Sequence, residues 1–341
     1  MNGATSRLTE RQSWLLLGMI VVLAVGFITA GLGLGAKLMP PRAVFSALVW
    51  PDGKIDSIFV WKLRLPRSLV AYGAGCGLGV AGLLLQTLTR NPLSGPGITG
   101  VTSGAVAAIV SCITFFPAVS SVFHPLIGLA GGMCAALITF WIAEGSNDRA
   151  LRLVLGGMTV SLFLSAVTTY LLLRSGPQAP SLLFWISGGF QGRSWLHFLY
   201  MFPWVVVGIG GAILLHRVLD MFLLSDRAAA AMGVDLGFWR PVLLILAVLP
   251  VAGVVPVAGP ISFVGLATPH IVRLLRPKGM IWTIVLTAVT GGLIVALADI
   301  VARTIAAPRE LPASIITGLI GGPLFIALIY RQQMLPGTAR S

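Results

Sequence analysis

The chain has 341 residues and a formal net charge of +13, with 57% hydrophobic residues, only 10% charged ones and a mean hydropathy of +0.96. A soluble domain carries about 25% charged residues, so this composition excludes a water-soluble globular protein. A nucleic-acid surface is excluded too: Lys and Arg occur singly or in small groups between apolar runs, as membrane proteins distribute them, and no solvated basic face is left over.

A helix needs roughly 20 apolar residues to cross the hydrocarbon of a bilayer. Runs free of Asp, Glu, Lys and Arg cover 12–36, 68–89, 91–143, 153–173, 194–216, 241–272, 279–298 and 311–330. The first follows "MNGATSRLTERQ"; it is too long for a signal-peptide core and lacks a small-residue cleavage site, so it reads as a retained span. Next comes "WKLRLPRSLV", which sets Lys62, Arg64 and Arg67 just ahead of the second span. That span, "YGAGCGLGVAG", carries Gly73, Gly75, Gly77, Gly79 and Gly82, with Gly-x-x-x-Gly at 73/77 and 75/79. Small residues at this spacing let helix backbones approach closely in lipid. Asn91 and Pro92 then read as a tight turn. Run 91–143 holds two spans broken near "FFPAVSSVFHP". Run 241–272 is long for one helix and short for two, and contains Pro250, Pro256, Pro260 and Pro269, the last beside His270 in what reads as a bent helix with a capping imidazole.

Charge asymmetry decides between nine and ten spans. With ten spans and the N-terminus inside, 13 of the 23 basic residues lie inside; with nine, ten do. Ten fits the tendency of positive charge to stay inside. The margin is thin because six basic residues fall in one outer loop, between the first two spans.

Several chemistries are missing. No phosphate-binding G-x-x-x-x-G-K-[ST] loop and no H-E-x-x-H occurs. Asp299 is the only acidic residue deep in an apolar run, too few for a proton relay. Cys76, Cys112 and Cys134 all lie in apolar runs and read as packing residues. No catalytic set and no metal site is expected.

The stretch "RLPRSLVAYGAGCGLGVAGLLLQTLTRNPLSGPGITGVTSGA" resembles the signature of the FecCD or BtuC-like permeases of ABC importers for iron-siderophores, haem and cobalamin. "FWISGG", "AGPISFVGLATPHIVRLL", "ADIVAR" and "RELPASIITGLIGGPLFIALI" match further family blocks in order, so the resemblance spans roughly residues 14–332. It implies an all-α integral membrane protein of about ten transmembrane helices with the type II ABC importer permease fold. Residues 1–12 are then a cytoplasmic tail, 13–332 the membrane domain with a coupling loop at 219–240, and 333–341 a second cytoplasmic tail. The implied partners are a second permease subunit (another copy or a related chain), two cytoplasmic ATPase subunits, a periplasmic binding protein and membrane lipid. The chain itself is expected to bind no cofactor and to be no enzyme alone; ATP and Mg are used by the ATPases. The cargo implied is a ferric siderophore, with haem or cobalamin as alternatives. A secondary transporter driven by ions is the rival of another class.

Residue by residue, the resemblance assigns Arg64, Arg67 and Arg303 to the outer face, receiving carboxylates of the binding protein. The rival readings are snorkelling to head groups and, for Arg303, pairing with Asp299 four residues earlier. "LLSDRAAAAMGVDLGFWR" resembles the coupling loop, with two short helices; Asp226, Arg227, Ala228, Ala229, Gly233 and Val234 are its candidates, and Ser225, Arg227 and Ala230 depart from the family pattern. Thr159, Ser161 and Ser165 are candidates for the substrate pathway, or else hydroxyls bonded to their own helix.

Overall fold

The computed structural model describes residues 8–35, 38–51, 54–144, 149–307 and 309–334. Its helices, in order, are α1 Glu10–Gly33, α2 Pro41–Val49, α3 Ile55–Ile58, α4 Leu65–Thr89, α5 Val101–Phe115, α6 His124–Ile142, α7 Arg149–Arg174, α8 Ala179–Ile186, α9 Trp195–Leu214, α10 His216–Phe222, α11 Asp226–Ala231, α12 Leu236–Ala258, α13 Val264–Leu274, α14 Gly279–Thr304 and α15 Ala313–Met334. No strand occurs among the described residues. Parts of the two expected tails, 1–7 and 335–341, lie outside the described residues.

Helix α4 is the hub, packed on α14, α12, α9 and α13. Its glycines explain why. A Cβ on Gly75 would fall 2.1 Å from the Gly291 carbonyl oxygen of α14, and one on Gly82 would fall 1.7 Å from that of Gly265 on α13. Only backbones without side chains can come this close, as the Gly-x-x-x-Gly spacing implied. On its other flank, Pro250 of α12 fits against Gly77 of α4 and Gly208 of α9. Pro241, Pro250 and Pro256 all lie inside α12 without ending it.

Among the described residues, seven stretches are long and apolar enough to cross a membrane: α1, 55–89, 121–142, 151–174, α9, α12 and α14. Helices α5 and α15 are shorter apolar helices, and α13 is the remaining element of the expected ten. The ambiguous run 241–272 is two helices, divided at Gly259, whose φ of +70° suits glycine, and at Pro260. Helix α13 has 11 residues, about 16 Å at 1.5 Å per residue. It therefore covers about half of a 30 Å hydrocarbon core. His270 lies in the middle of α13.

Segment 91–100 is irregular but does not stay at the bundle end. Asn91 makes the expected turn, its Oδ1 accepting from the Leu93 N–H at 2.9 Å. The chain then folds inward: Pro96 lies against Gly265, and the Thr99 carbonyl accepts from the Thr139 hydroxyl of α6 at 3.2 Å. Irregular backbone is tolerated within a membrane only where protein buries it or where it lines a water-filled cavity.

Candidate functional site

Helix α4 separates two polar ends. With 25 residues it is about 37 Å long. Arg67 stands at its start, and Arg90 follows its last residue.

At the arginine end, Phe59–Arg64 winds as a π-helical stretch continuous with α4. Such turns are rare and occur frequently at functional sites. Two bonds fix it. The Trp61 indole donates to the Ala47 carbonyl at 2.9 Å, and the Trp61 carbonyl accepts from the Trp195 indole at 2.8 Å. Lys62 faces out, while Arg64 and Arg67 are buried. Arg67 Nε donates to both oxygens of Asp299, at 3.0 and 3.1 Å, and Nη2 donates to Oδ1 at 2.8 Å. Its Nη1 donates to Glu310 Oε2 at 2.7 Å. Arg303, one turn beyond Asp299, brings Nε to 3.7 Å from Oδ2; its Nε and Nη2 have no hydrogen-bond partner among the described residues. The same Nη2 would lie 2.7 Å from a Cβ on Gly31, so Arg303 packs closely on α1 there. Arg64 Nη1 donates to the Leu32 carbonyl near the end of α1, where a cation complements the helix dipole.

The expected open docking rim is thus a closed knot. Arg64, Arg67, Arg303 and Asp299 are 8%, 8%, 4% and 1% exposed. The physical reason is desolvation: guanidinium groups taken out of water must find opposite charge. Asp299 and Glu310 provide it inside this chain. The i−4 pairing of Arg303 with Asp299 is present, but Arg67 is the main partner of Asp299 and the sequence reading missed it. It missed Glu310 as well, which stands in "RELP" with no periodic signal.

At the other end lies the expected coupling loop. Ser225 caps α11, its Oγ accepting from the Ala228 N–H at 3.2 Å. Asp226 is clamped by two arginines, with Arg90 Nη1 at 2.8 Å from Oδ1 and Arg240 Nη2 on Oδ2. Arg90 Nε also donates to the Phe222 carbonyl at 2.8 Å, which ties the end of α4 to α10. Partial burial pushes the Asp226 carboxyl up, but Arg240 and Arg90 outweigh it and hold the group below its ordinary value. Ala229 is buried and Ala228 half-buried, whereas Arg227, Ala230, Ala231 and Met232 face outward. Gly233 then reverses the chain with φ +83°, and the Val234 N–H closes the turn on the Ala229 carbonyl at 3.1 Å. The second of the two expected short helices is absent as a separate element. Asp235 caps α12 directly, accepting from the N–H groups of Gly237 and Phe238, and α12 runs on for 23 residues. The clamp residues Arg90 and Arg240 were not anticipated.

The three pathway candidates do not converge. Thr159 Oγ1 donates to its own helix at the Leu155 carbonyl, 2.9 Å. Ser161 Oγ instead reaches the Gly97 carbonyl of the inward-folded segment at 3.0 Å. Ser165 is exposed, on a face of α7 that also exposes Leu155, Leu162 and Leu173.

A polytopic helical bundle with a glycine-packed hub, a charged knot at one end and a capped, glycine-jointed hairpin at the other defines a membrane permease subunit. The profile of the FecCD transport family matches residues 20–331, and the chain belongs to that family. The achromobactin transport system permease protein of Dickeya dadantii (strain 3937) is 35% identical over 320 residues, covering 93% of this chain and 91% of the relative. An Fe(3+)-citrate import system permease protein of Bacillus subtilis (strain 168) is 35% identical over 333 residues, 96% of this chain and 98% of its own. An Fe(3+) dicitrate transport system permease protein of Escherichia coli (strain K12) is 32% identical over 314 residues, 92% and 98% respectively. Among solved structures, one described as a metal-chelate type ABC transporter in an inward-facing conformation superposes with a TM-score of 0.79 at 30% identity, covering 94% of this chain and 99% of that one. The fold is that of a type II ABC importer permease, and the chain is a multi-pass membrane permease subunit rather than an enzyme in itself.

Proposed function

We propose that this chain is the permease of an ATP-driven importer that moves a ferric siderophore from a periplasmic binding protein to the cytoplasm. The arginine end faces the binding protein, the α11 end faces two cytoplasmic ATPase subunits that use ATP and Mg, and both termini are cytoplasmic. A second permease, either another copy or a related chain, covers the open face of α7 and completes the pathway. The cargo reading is supported by relatives named for achromobactin and ferric citrate that are about one-third identical along more than nine-tenths of the chain.

The observation that carries the reading is the contrast between the ends. The α11 hairpin is rigid inside, through the Asp226 clamp, and offers small and apolar tips outside; Met232 and Phe238 are each 59% exposed. That suits insertion into a cleft of a soluble partner. At the arginine end, docking works by exchange. Carboxylates of the binding protein compete with Glu310 for Arg67 and meet the spare donors of Arg303, while Arg64 holds the end of α1. Complementary charge of this kind mainly sets encounter rate and orientation.

The test is uptake of radiolabelled ferric citrate and ferric achromobactin by cells whose own iron-chelate importers are deleted, with the chain expressed beside its partner ATPase and binding protein. Uptake is expected for at least one chelate, and it should stop when ATP is depleted with the membrane potential maintained. Uptake that survives ATP depletion would make the chain an ion-driven carrier and overturn the reading.

A further inference from the structure

A cavity of about 510 Å³ opens at the α11 end, between the ends of α4, α10 and α13 and the start of α14. That volume is typical of small-molecule sites. Its lining is mixed. Leu83, Leu223 and Met280 contribute apolar surface to the lining, and Arg273 and Arg276 contribute cationic surface. Lys278 follows at once in sequence, so three cations fall within six residues.

Arg273 is held from behind. Its Nη2 donates to Gln86 Oε1 at 2.6 Å, and Gln86 is itself buried and donates to the Leu266 carbonyl at 3.2 Å. Among the described residues no carboxylate pairs with Arg273: the structure orients this cation with a neutral amide and leaves its charge uncompensated. Helix α14 begins at the cavity wall with no side-chain cap, so its positive end adds to the same field. One acid, Asp220 of α10, also lines the cavity. Burial pushes its carboxyl above the ordinary value, with His216 pulling the other way.

The depth is marked independently. Trp282, next to the cavity-lining Thr283, makes an edge-on pair with the exposed Trp14 at 4.8 Å between ring centroids. The Leu8 N–H donates to the Arg276 carbonyl at 3.1 Å, which brings the start of α1 to the same level. Tryptophan pairs at helix ends sit where lipid head groups meet water. A ligand here needs an anionic, doubly hydrogen-bonding head for arginine and an apolar remainder for Leu83, Leu223 and Met280. We propose that this cavity binds the phosphodiester head group of an anionic membrane phospholipid, with Arg273 and Arg276 on the phosphate and the apolar residues against the glycerol and upper acyl chains. The proposal needs only a chain embedded in a membrane and does not depend on which cargo is carried.

The test uses the full chain purified in neutral detergent. Short-chain phosphatidylglycerol, short-chain phosphatidylcholine and inorganic phosphate are titrated separately, and binding is read by thermal shift and by native mass spectrometry. Phosphatidylglycerol should bind saturably and phosphatidylcholine should not. Arg276→Gln should weaken the phosphatidylglycerol affinity about tenfold, and Arg273→Gln by at least as much, while Arg273→Lys, which keeps the charge but not the fork, should lose less than Arg273→Gln in a folded protein. Asp220→Asn should tighten it several-fold, an opposite sign that a merely destabilising change at the cavity would not give. Equal binding of both lipids, or wild-type affinity in Arg276→Gln and Arg273→Gln alike, would overturn the site. Inorganic phosphate binding as tightly as phosphatidylglycerol would overturn the lipid as ligand and leave a soluble phosphate.

Discussion

Removing Asp299 is the sharpest probe of the arginine knot. In Asp299→Leu, Arg67 keeps only Glu310, and Arg303 loses the one carboxylate within 4.0 Å among the described residues. The side chains of Arg67 and Asp299 are 9% and 2% exposed, so water does not replace the lost partner. Breaking a buried ion pair by deleting one member costs about 3–5 kcal/mol, mostly from the charge left behind. Deleting both with Arg67→Met/Asp299→Leu removes two of the charges together and should cost clearly less than the sum of the single changes. The coupling should be about 2 kcal/mol, within the range for residues in one network. It should not reach the full pair energy, because Arg303 stays unpaired in the double variant. The assay is reversible unfolding of the purified chain in mixed micelles by increasing dodecyl sulfate, followed by tryptophan fluorescence, for wild type, both single variants and the double. An Asp299→Leu cost under about 1 kcal/mol would refute the reasoning, as would single costs that add to within about 0.5 kcal/mol.

Three further outcomes follow from the packing and the hairpin. Gly82→Ala should destabilise by about 1–3 kcal/mol or more by forcing α13 away from α4, whereas Gly210→Ala, whose added Cβ meets nothing within 4 Å, should not; the same unfolding assay compares them. Gly233→Val has room for its side chain but not for its φ of +83°, a strain of about 1–2 kcal/mol; it should leave the membrane bundle folded and lower the yield of ATPase co-purified with the chain. Because the Asp226 carboxyl is held low, the order it gives α11 should be present above the ordinary carboxylate value near 4 and be lost as the pH falls through its lower folded value; a spin label at Ala230 should become mobile only in that acidic range, and in Arg240→Gln at a higher pH.

The helical plan was legible because lipid demands long uncharged runs, and because the glycines of α4 record how close α13 and α14 come. The division of 241–272 was not, since proline is a poor guide inside lipid: Pro250 sits within α12 as a knob against Gly77 and Gly208, while Gly259 makes the break. The half-length α13 also escaped, because the run containing it shows no change of composition where the helix starts. Charged partners were the least legible part. The i−4 relation of Asp299 and Arg303 leaves a mark in the sequence, but Arg67 and Asp299 are 232 residues apart, and only the packing of α4 on α14 brings them together. Arg90 and Asp226 escaped for the same reason, lying on different elements joined through α10. The expectation of docking arginines did not foresee that Arg64, Arg67 and Arg303 are buried.

The separation of Arg67 from its counter-ions also sets a timetable. Asp299 and Glu310 are made 232 and 243 residues after Arg67. At roughly 5–20 residues per second of synthesis, the guanidinium waits on the order of 10–50 seconds before either carboxylate leaves the ribosome. During that interval the hub helix must rest in or beside the bilayer with Arg67 unanswered at its leading end. A lone arginine costs about 2.5–3.5 kcal/mol at a helix centre and less near its ends, so an early, shallow and reversible placement of α4 is affordable while a final one is not. Truncated nascent chains ending before Asp299 should therefore hold α4 loosely, and the knot should close only when the last two helices arrive. The ion pair is then a late latch on assembly, and a substitution there would be felt first as clearance of newly made protein rather than as slow transport.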